Sequence, residues 1–194
     1  MDVSDTDGTV AELRALDEEL GGLDLVVANA GVGAKRGEQP AYAWETIRDA
    51  LHTNFCGAAA TLTAVLPRMV ARGRGHLVGI GSLASYGALP ESASYCAPKA
   101  GLSMLLDCLR LDVLGTGVAV THVELGFVRT PMVAESTHPM PQLAMPDVIA
   151  RMLVDALPSA PRKIVYPRAL ASATRALALL PEPLREALLR RTRA

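Results

Sequence analysis

The chain holds only three cysteines, Cys56, Cys96 and Cys108, and none is in a C-x-x-C spacing. An odd, unpatterned set argues against a disulfide framework and against a zinc site, and it gives the expectation of reduced thiols in a cytoplasmic setting. His52, His76, His122 and His138 also lack ligand spacing, so no metal is expected. Lysine and arginine form no cluster before the closing Arg190-Arg191-Thr192-Arg193, and the net charge is −1. A nucleic-acid binder needs a basic patch, so that class is not expected. No apolar run reaches the length of a membrane span. Residues 2–20 are acidic and lack the apolar segment of a secretory signal. Internal repeats and low-complexity linkers are missing as well.

What is present is 194 residues, half of them apolar, which suits one domain over 1–194 with a sizeable core. Val10, Leu13, Leu16 and Leu20 repeat at helical spacing, with Asp5 to Asp7 as caps and Gly21-Gly22 as the stop. Leu23 to Ala28 reads as a buried parallel strand that runs into Asn29-Ala30-Gly31. A loop with Gly33, Gly37 and Pro40 precedes one long helix over about 42–72, ended by Gly73 and Gly75. His76–Gly81 and Val118–Leu125 are two further buried strands, with a helix through Leu105, Leu109 and Leu111 between them. A Pro- and Met-rich segment, a helix over 147–157, a strand at 163–166 and a helical tail over 168–194 follow. Such alternation predicts an α/β fold: a Rossmann-like, doubly wound parallel sheet in three layers, α/β/α, with its site beyond the strands' C-terminal ends.

The stretch from Ser82-Leu83-Ala84-Ser85-Tyr86-Gly87 to Ser94-Tyr95-Cys96-Ala97-Pro98-Lys99 leaves one of those ends. Tyr95 and Lys99 are four apart, so a helix capped by Ser92 or Ser94 puts both on one face, with Pro98 expected in its first turn. A phenol exchanges protons poorly at neutral pH, and a fixed ammonium favours its ionised form; Lys99 can therefore make Tyr95 a working acid/base.

These residues resemble the classical branch of the short-chain dehydrogenase/reductase (SDR) family, over Asp2 to about Tyr166. Ser82 precedes Tyr95 by thirteen residues, matching that family's Ser and Tyr-x-x-x-Lys spacing. Asn54 in His52-Thr53-Asn54-Phe55 matches its fourth catalytic residue, and Ala28-Asn29-Ala30-Gly31 resembles its Asn-Asn-Ala-Gly motif. Leu125-Gly126-Phe127-Val128-Arg129-Thr130 resembles its Pro-Gly-x-Val-x-Thr loop, and Asp2-Val3 its Asp-Val pair near the adenine. The resemblance implies Ser82, Tyr95, Lys99 and Asn54 as catalytic residues. It also implies NAD or NADP held by Asp2, Val3, Asn29, Ala30, Gly31, Tyr95, Lys99, Gly126, Val128 and Thr130. The implied reaction moves a hydride between that cofactor and a small-molecule alcohol or ketone. Residues 131–146 correspond to a substrate lid, where Met132, Val133, Met140, Leu143 and Met145 suggest an apolar pocket wall. A homodimer or homotetramer through helices 43–72 and 95–114 is implied too.

Three departures bear on this. Ala28 replaces the motif's first Asn, and Leu125 replaces the rigid Pro. No G-x-x-x-G-x-G stands before Asn29, so the turn that anchors a dinucleotide pyrophosphate is missing. The expectation is an N-terminally truncated SDR domain, the C-terminal part of a longer protein, with Leu23–Ala28 left at a sheet edge. In-frame genomic sequence upstream of Met1 would test it.

Blander roles compete at several positions. Ser82 can be a loop cap with Ser85 as the rival hydroxyl, Asn54 a helix-interior polar residue, Thr130 a helix cap and Asp2 a frayed terminus. Cys96 reads as packing. The amphipathic tail with Leu177, Leu179, Leu180, Leu184, Leu188 and Leu189 suits core or subunit packing better than a membrane surface. For the whole chain the rival reading is a silent fragment or binding module. An epimerase or dehydratase of the extended SDR branch is disfavoured by the short part after residue 130.

Overall fold

The computed structural model describes residues 1–33, 40, 42–134 and 140–190. Gly37, His138, residues 135–139 of the expected lid, and Arg191-Thr192-Arg193 lie outside them.

Helix α1 (Thr6–Glu19) starts where Asp5 accepts a hydrogen bond from the Gly8 amide, and Gly21 follows it at φ 69°. Leu13 enters the core, whereas Leu16 and Leu20 stay exposed. Four parallel strands follow in the sequential order β1 (Leu25–Ala28), β2 (Gly75–Ser82), β3 (Val118–Leu125) and β4 (Lys163–Tyr166). The β2–β3 ladder pairs Gly75 with Val118 through Ser82 with Leu125. Because all strands run one way, Asn29, Ser82 and Gly126 leave the sheet at one edge, as the sequence predicts.

The long helix expected over 42–72 is broken. It consists of α2 (Trp44–Leu51), a π-helical turn (His52–Gly57), α3 (Ala58–Thr63) and α4 (Leu66–Arg72), with Gly73 as a left-handed cap at φ 69°. Pro67 near the start of α4 and the π turn account for the breaks. Helix α5 (Ala93–Asp112) carries Tyr95 and Lys99. Its N-cap residue Ser92 makes no side-chain cap bond, because that hydroxyl donates to the Pro90 carbonyl. Pro98 is the sixth helical residue, beyond the expected first turn, so the Ser94 carbonyl has no amide from it. After β3 come α6 (Pro131–Ala134), α7 (Pro146–Ala156), α8 (Arg168–Leu179) and α9 (Glu182–Arg190).

Helices cover both faces of the sheet, which makes the three layers. On one face Val26, Ala28, Leu77, Val118 and Val120 pack with Leu13, Leu62, Met69, Leu102, Leu106 and Leu109 of α1, α3, α4 and α5. Each fully buried leucine there contributes roughly 1.5–3 kcal/mol. On the other face Val78, Val123 and Ile164 pack under Met152 and Leu153 of α7. That cover stops short of β1, whose Leu25 and Val27 are 46% and 42% exposed. Gly75, Gly79 and Gly81 have the G-x-x-x-G-x-G spacing, yet they lie inside β2, where they admit Met69, Leu106 and His122 instead of a phosphate.

Candidate active site

Ser82 ends β2 and is 8% exposed. Its Oγ accepts the Ala84 amide at 3.1 Å and lies beside the Tyr95 phenol, close enough to favour its ionised form. Ser85, the rival hydroxyl, donates to the Ser82 carbonyl at 2.7 Å. Tyr95 is half-buried. Burial pushes its phenol above the usual tyrosine range, and the Ser82 hydroxyl draws it partly back.

Lys99 lies one turn further along α5, 5% exposed, with Nζ 5.9 Å from the Tyr95 ring centroid. The ammonium donates to the Ile80 carbonyl at 2.9 Å. Burial brings its pKa down to about 8. Lys99 is thus close to its own titration point near neutral pH, and burial is the dominant influence on both groups.

Asn54 sits in the π turn with no exposure, and its amide clamps Val32: Nδ2 donates to the Val32 carbonyl and Oδ1 accepts the Val32 amide, each at 2.8 Å. The clamp fixes the loop that follows β1. A Cβ on Gly31 would fall 3.0 Å from Asn54 Oδ1 and 3.7 Å from Lys99 Nζ, so glycine lets the backbone approach both without displacing the Asn54 amide. Asn54, Gly31 and Lys99 therefore meet at one point, while Asn29 and Ala30 stand exposed beside it.

The remaining candidates surround this centre. The Asp2 carboxylate accepts the Ser4 amide and hydroxyl, and its carbonyl accepts the Asp5 amide, so Asp2 is held in a turn. Those Ser4 bonds hold the carboxyl below its ordinary range. Val3 presses on Gly57 of the π turn, its carbonyl 2.4 Å from where a Cβ would be. The Gly126 amide donates to the Tyr166 carbonyl at 2.8 Å, Val128 bridges to Ala144, and the Thr130 carbonyl accepts the Val133 amide. Met132 of α6 lies over Gly33, 2.9 Å from where a Cβ would be, which brings α6 to the loop after β1. A groove of about 300 Å³ between α1 and α4 is lined by Asp17, Arg68 and Arg72, which pair with one another. Among the described residues no His, Cys, Asp or Glu cluster could hold a metal.

A model of the short chain dehydrogenase family matches residues 1–141. The chain belongs to that family. This SDR chain is 45% identical over 193 residues to an uncharacterized oxidoreductase of Myxococcus xanthus, covering all of this chain and 76% of that protein. It is 30% identical over 168 residues to the ketoacyl reductase HetN of Nostoc, covering 84% of this chain and 58% of that one. It spans about half, 49%, of the length of an uncharacterized Mycobacterium tuberculosis oxidoreductase. The solved structure of ElxO with NADP bound superposes with a TM-score of 0.71 at 20% identity, over 85% of this chain and 73% of that one. That last likeness concerns the fold.

Sequence reasoning missed Glu124. An acidic residue in the mostly apolar strand Val118–Leu125 was the available signal; its carboxylate is 0% exposed, and a buried charge requires partners.

Proposed function

We propose that this SDR chain interconverts an alcohol and a carbonyl compound with NAD or NADP as cofactor, Tyr95 serving as acid and base. The observation that carries this reading is the Tyr95 phenol beside the Ser82 hydroxyl, with buried Lys99 next to its ring. The residues present suit the nicotinamide end of the cofactor. The Lys99 ammonium donates to the Ile80 carbonyl and has further N–H groups to offer ribose hydroxyls, and Gly31 keeps the backbone clear of it. Among the described residues there is no Gly-rich turn for the pyrophosphate.

When bound, the reduced nicotinamide supplies a hydride to the carbonyl carbon. Tyr95 gives its proton to the carbonyl oxygen, which Ser82 holds by hydrogen bonding, so an alcohol forms. The raised phenol pKa keeps Tyr95 protonated at neutral pH, as an acid must be. Lys99, titrating near neutrality, returns the proton, and Asn54 supports that relay by holding the adjoining loop. In the oxidative direction the phenol must first ionise, so that rate rises with pH. The NADP held by ElxO and the ketoacyl reductase name of the Nostoc relative support cofactor and substrate class. Exposed Met132 and Met145 support an apolar lid over 131–146. Exposed Met104, Leu111 and Leu114 around α5, with Trp44 of α2, support assembly as a homodimer or homotetramer. The free thiols support a cytoplasmic location, and no helix among the described residues is long and apolar enough to cross a membrane.

The test is fluorescence titration with NADH and NADPH, followed by ketone reduction. Saturable binding and turnover, with Tyr95→Phe folded but inactive, are expected. Normal turnover by Tyr95→Phe would refute the assignment. The exposed Leu25 and Val27 favour a second reading, a silent binding module, for which no coenzyme binding is expected.

A further inference from the structure

A second set of charged groups lies one strand away from the Tyr95 site. The Glu124 carboxylate is 0% exposed. The Tyr86 hydroxyl donates to its Oε2, and Arg175 Nη2 donates to the same oxygen at 3.0 Å. Lys163 Nζ donates to Oε1 at 3.2 Å and also approaches Asp107, while His122 Nδ1 stands 3.4 Å from Oε1. Arg175 of α8 lies over the Tyr86 ring, 4.5 Å from its centroid, and donates to the Tyr86 oxygen as well.

Tyr86 is the last residue of the single helical turn Leu83–Tyr86, which Ser82 caps. That turn is braced from within, by Ala84 on Ser82 Oγ and by Ser85 on the Ser82 carbonyl. Its far end is held by Glu124 and Arg175. Helix α8 reinforces the same place: Leu170 and Leu83 both pack where a Cβ on Gly126 would lie, and Ala178 lies 3.4 Å from a Cβ on Gly87. Apolar packing can hold a strand at least as well as a buried carboxylate, so stability alone does not account for Glu124. A carboxylate does supply direction, because it fixes a phenol and a guanidinium at defined angles.

We propose that Glu124, Tyr86 and Arg175 are positioning residues that hold the Ser82 hydroxyl against the Tyr95 phenol, making helix α8 part of the proton-donating site. The inference rests on the reading of Ser82 and Tyr95 given above. Loosening the turn frees Ser82, and the phenol then loses the hydroxyl neighbour that draws its pKa downward.

The test uses the full chain with its four tyrosines replaced biosynthetically by 3-fluorotyrosine, whose phenol titrates at lower pH and so within the folded range. The Tyr95 signal is assigned by its loss in Tyr95→Phe. Fluorine NMR titrations of wild type, Tyr86→Phe and Arg175→Gln then need no coenzyme. The Tyr95 midpoint is expected to move up in both variants, and an unchanged midpoint in folded variants overturns the proposal. Tyr86→Phe retains its ring under Arg175 and decides the matter if Arg175→Gln fails to fold by circular dichroism. In turnover assays kcat should fall on the order of tenfold or more with the KM for coenzyme unchanged, since a displaced donor affects the reacting step alone. A wild type that neither binds coenzyme nor turns over counts against the proposed function, and the titration still decides the clamp.

Discussion

Lys99 is the residue whose chemistry and stability pull in opposite directions. Its ammonium is buried with one carbonyl partner, and its pKa falls from 10.5 to about 8. Between those values the unfolded chain binds a proton that the folded chain does not, so folding stability rises with pH from about 8 upward. Above the ordinary tyrosine value the buried Tyr95 phenol works the other way, since the unfolded chain ionises first. Lys99→Met isolates the first effect. The variant should be more stable than wild type at pH 7 by on the order of 1–3 kcal/mol, and the difference should shrink by pH 9.5. Urea denaturation at the two pH values measures this, and a less stable variant at pH 7 would contradict it.

At the level of the elements, glycine permits a close approach of β2 and α5. A Cβ on Gly79 would stand 2.5 Å from Leu106 Cδ1, and Leu106 is 1% exposed with nowhere to go. Gly79→Ala should destabilise by about 1–3 kcal/mol through overpacking, read as a lower urea midpoint with an unchanged slope. The same approach brings Lys99 Nζ onto the Ile80 carbonyl next in the strand. The π turn is the counterpart on the other side. It interrupts a continuous helical pattern so that Asn54 faces the loop after β1 and Gly57 admits Val3.

For the whole molecule the unequal cover of the sheet matters most. One face is filled by α1, α3, α4 and α5, whereas α7 leaves Leu25 and Val27 open on a strand paired with β2 alone among the described strands. Exposed apolar edge strands promote association. Val27→Lys should reduce concentration-dependent association in sedimentation velocity while changing stability by less than about 1 kcal/mol. Equal association of variant and wild type would show that another surface carries it.

The strands, the order of the helices and the choice of Ser82, Tyr95, Lys99 and Asn54 as candidates were legible in the chain itself. Apolar runs of strand length, glycine stops and a four-residue Tyr–Lys spacing are local signals, and β3 and β4 fall where Val118–Leu125 and Lys163–Tyr166 predict them. The break of the 42–72 helix, the engagement of Ser85 with the Ser82 carbonyl, and the salt-bridged Glu124 were decided only by tertiary structure. Each depends on partners distant in sequence: Asn54 bonds Val32, and Glu124 meets Tyr86 and Arg175. Backbone propensity and spacing report what a segment can form by itself. Which polar groups lose water, and which partner then satisfies them, is settled when the sheet and helices close on one another.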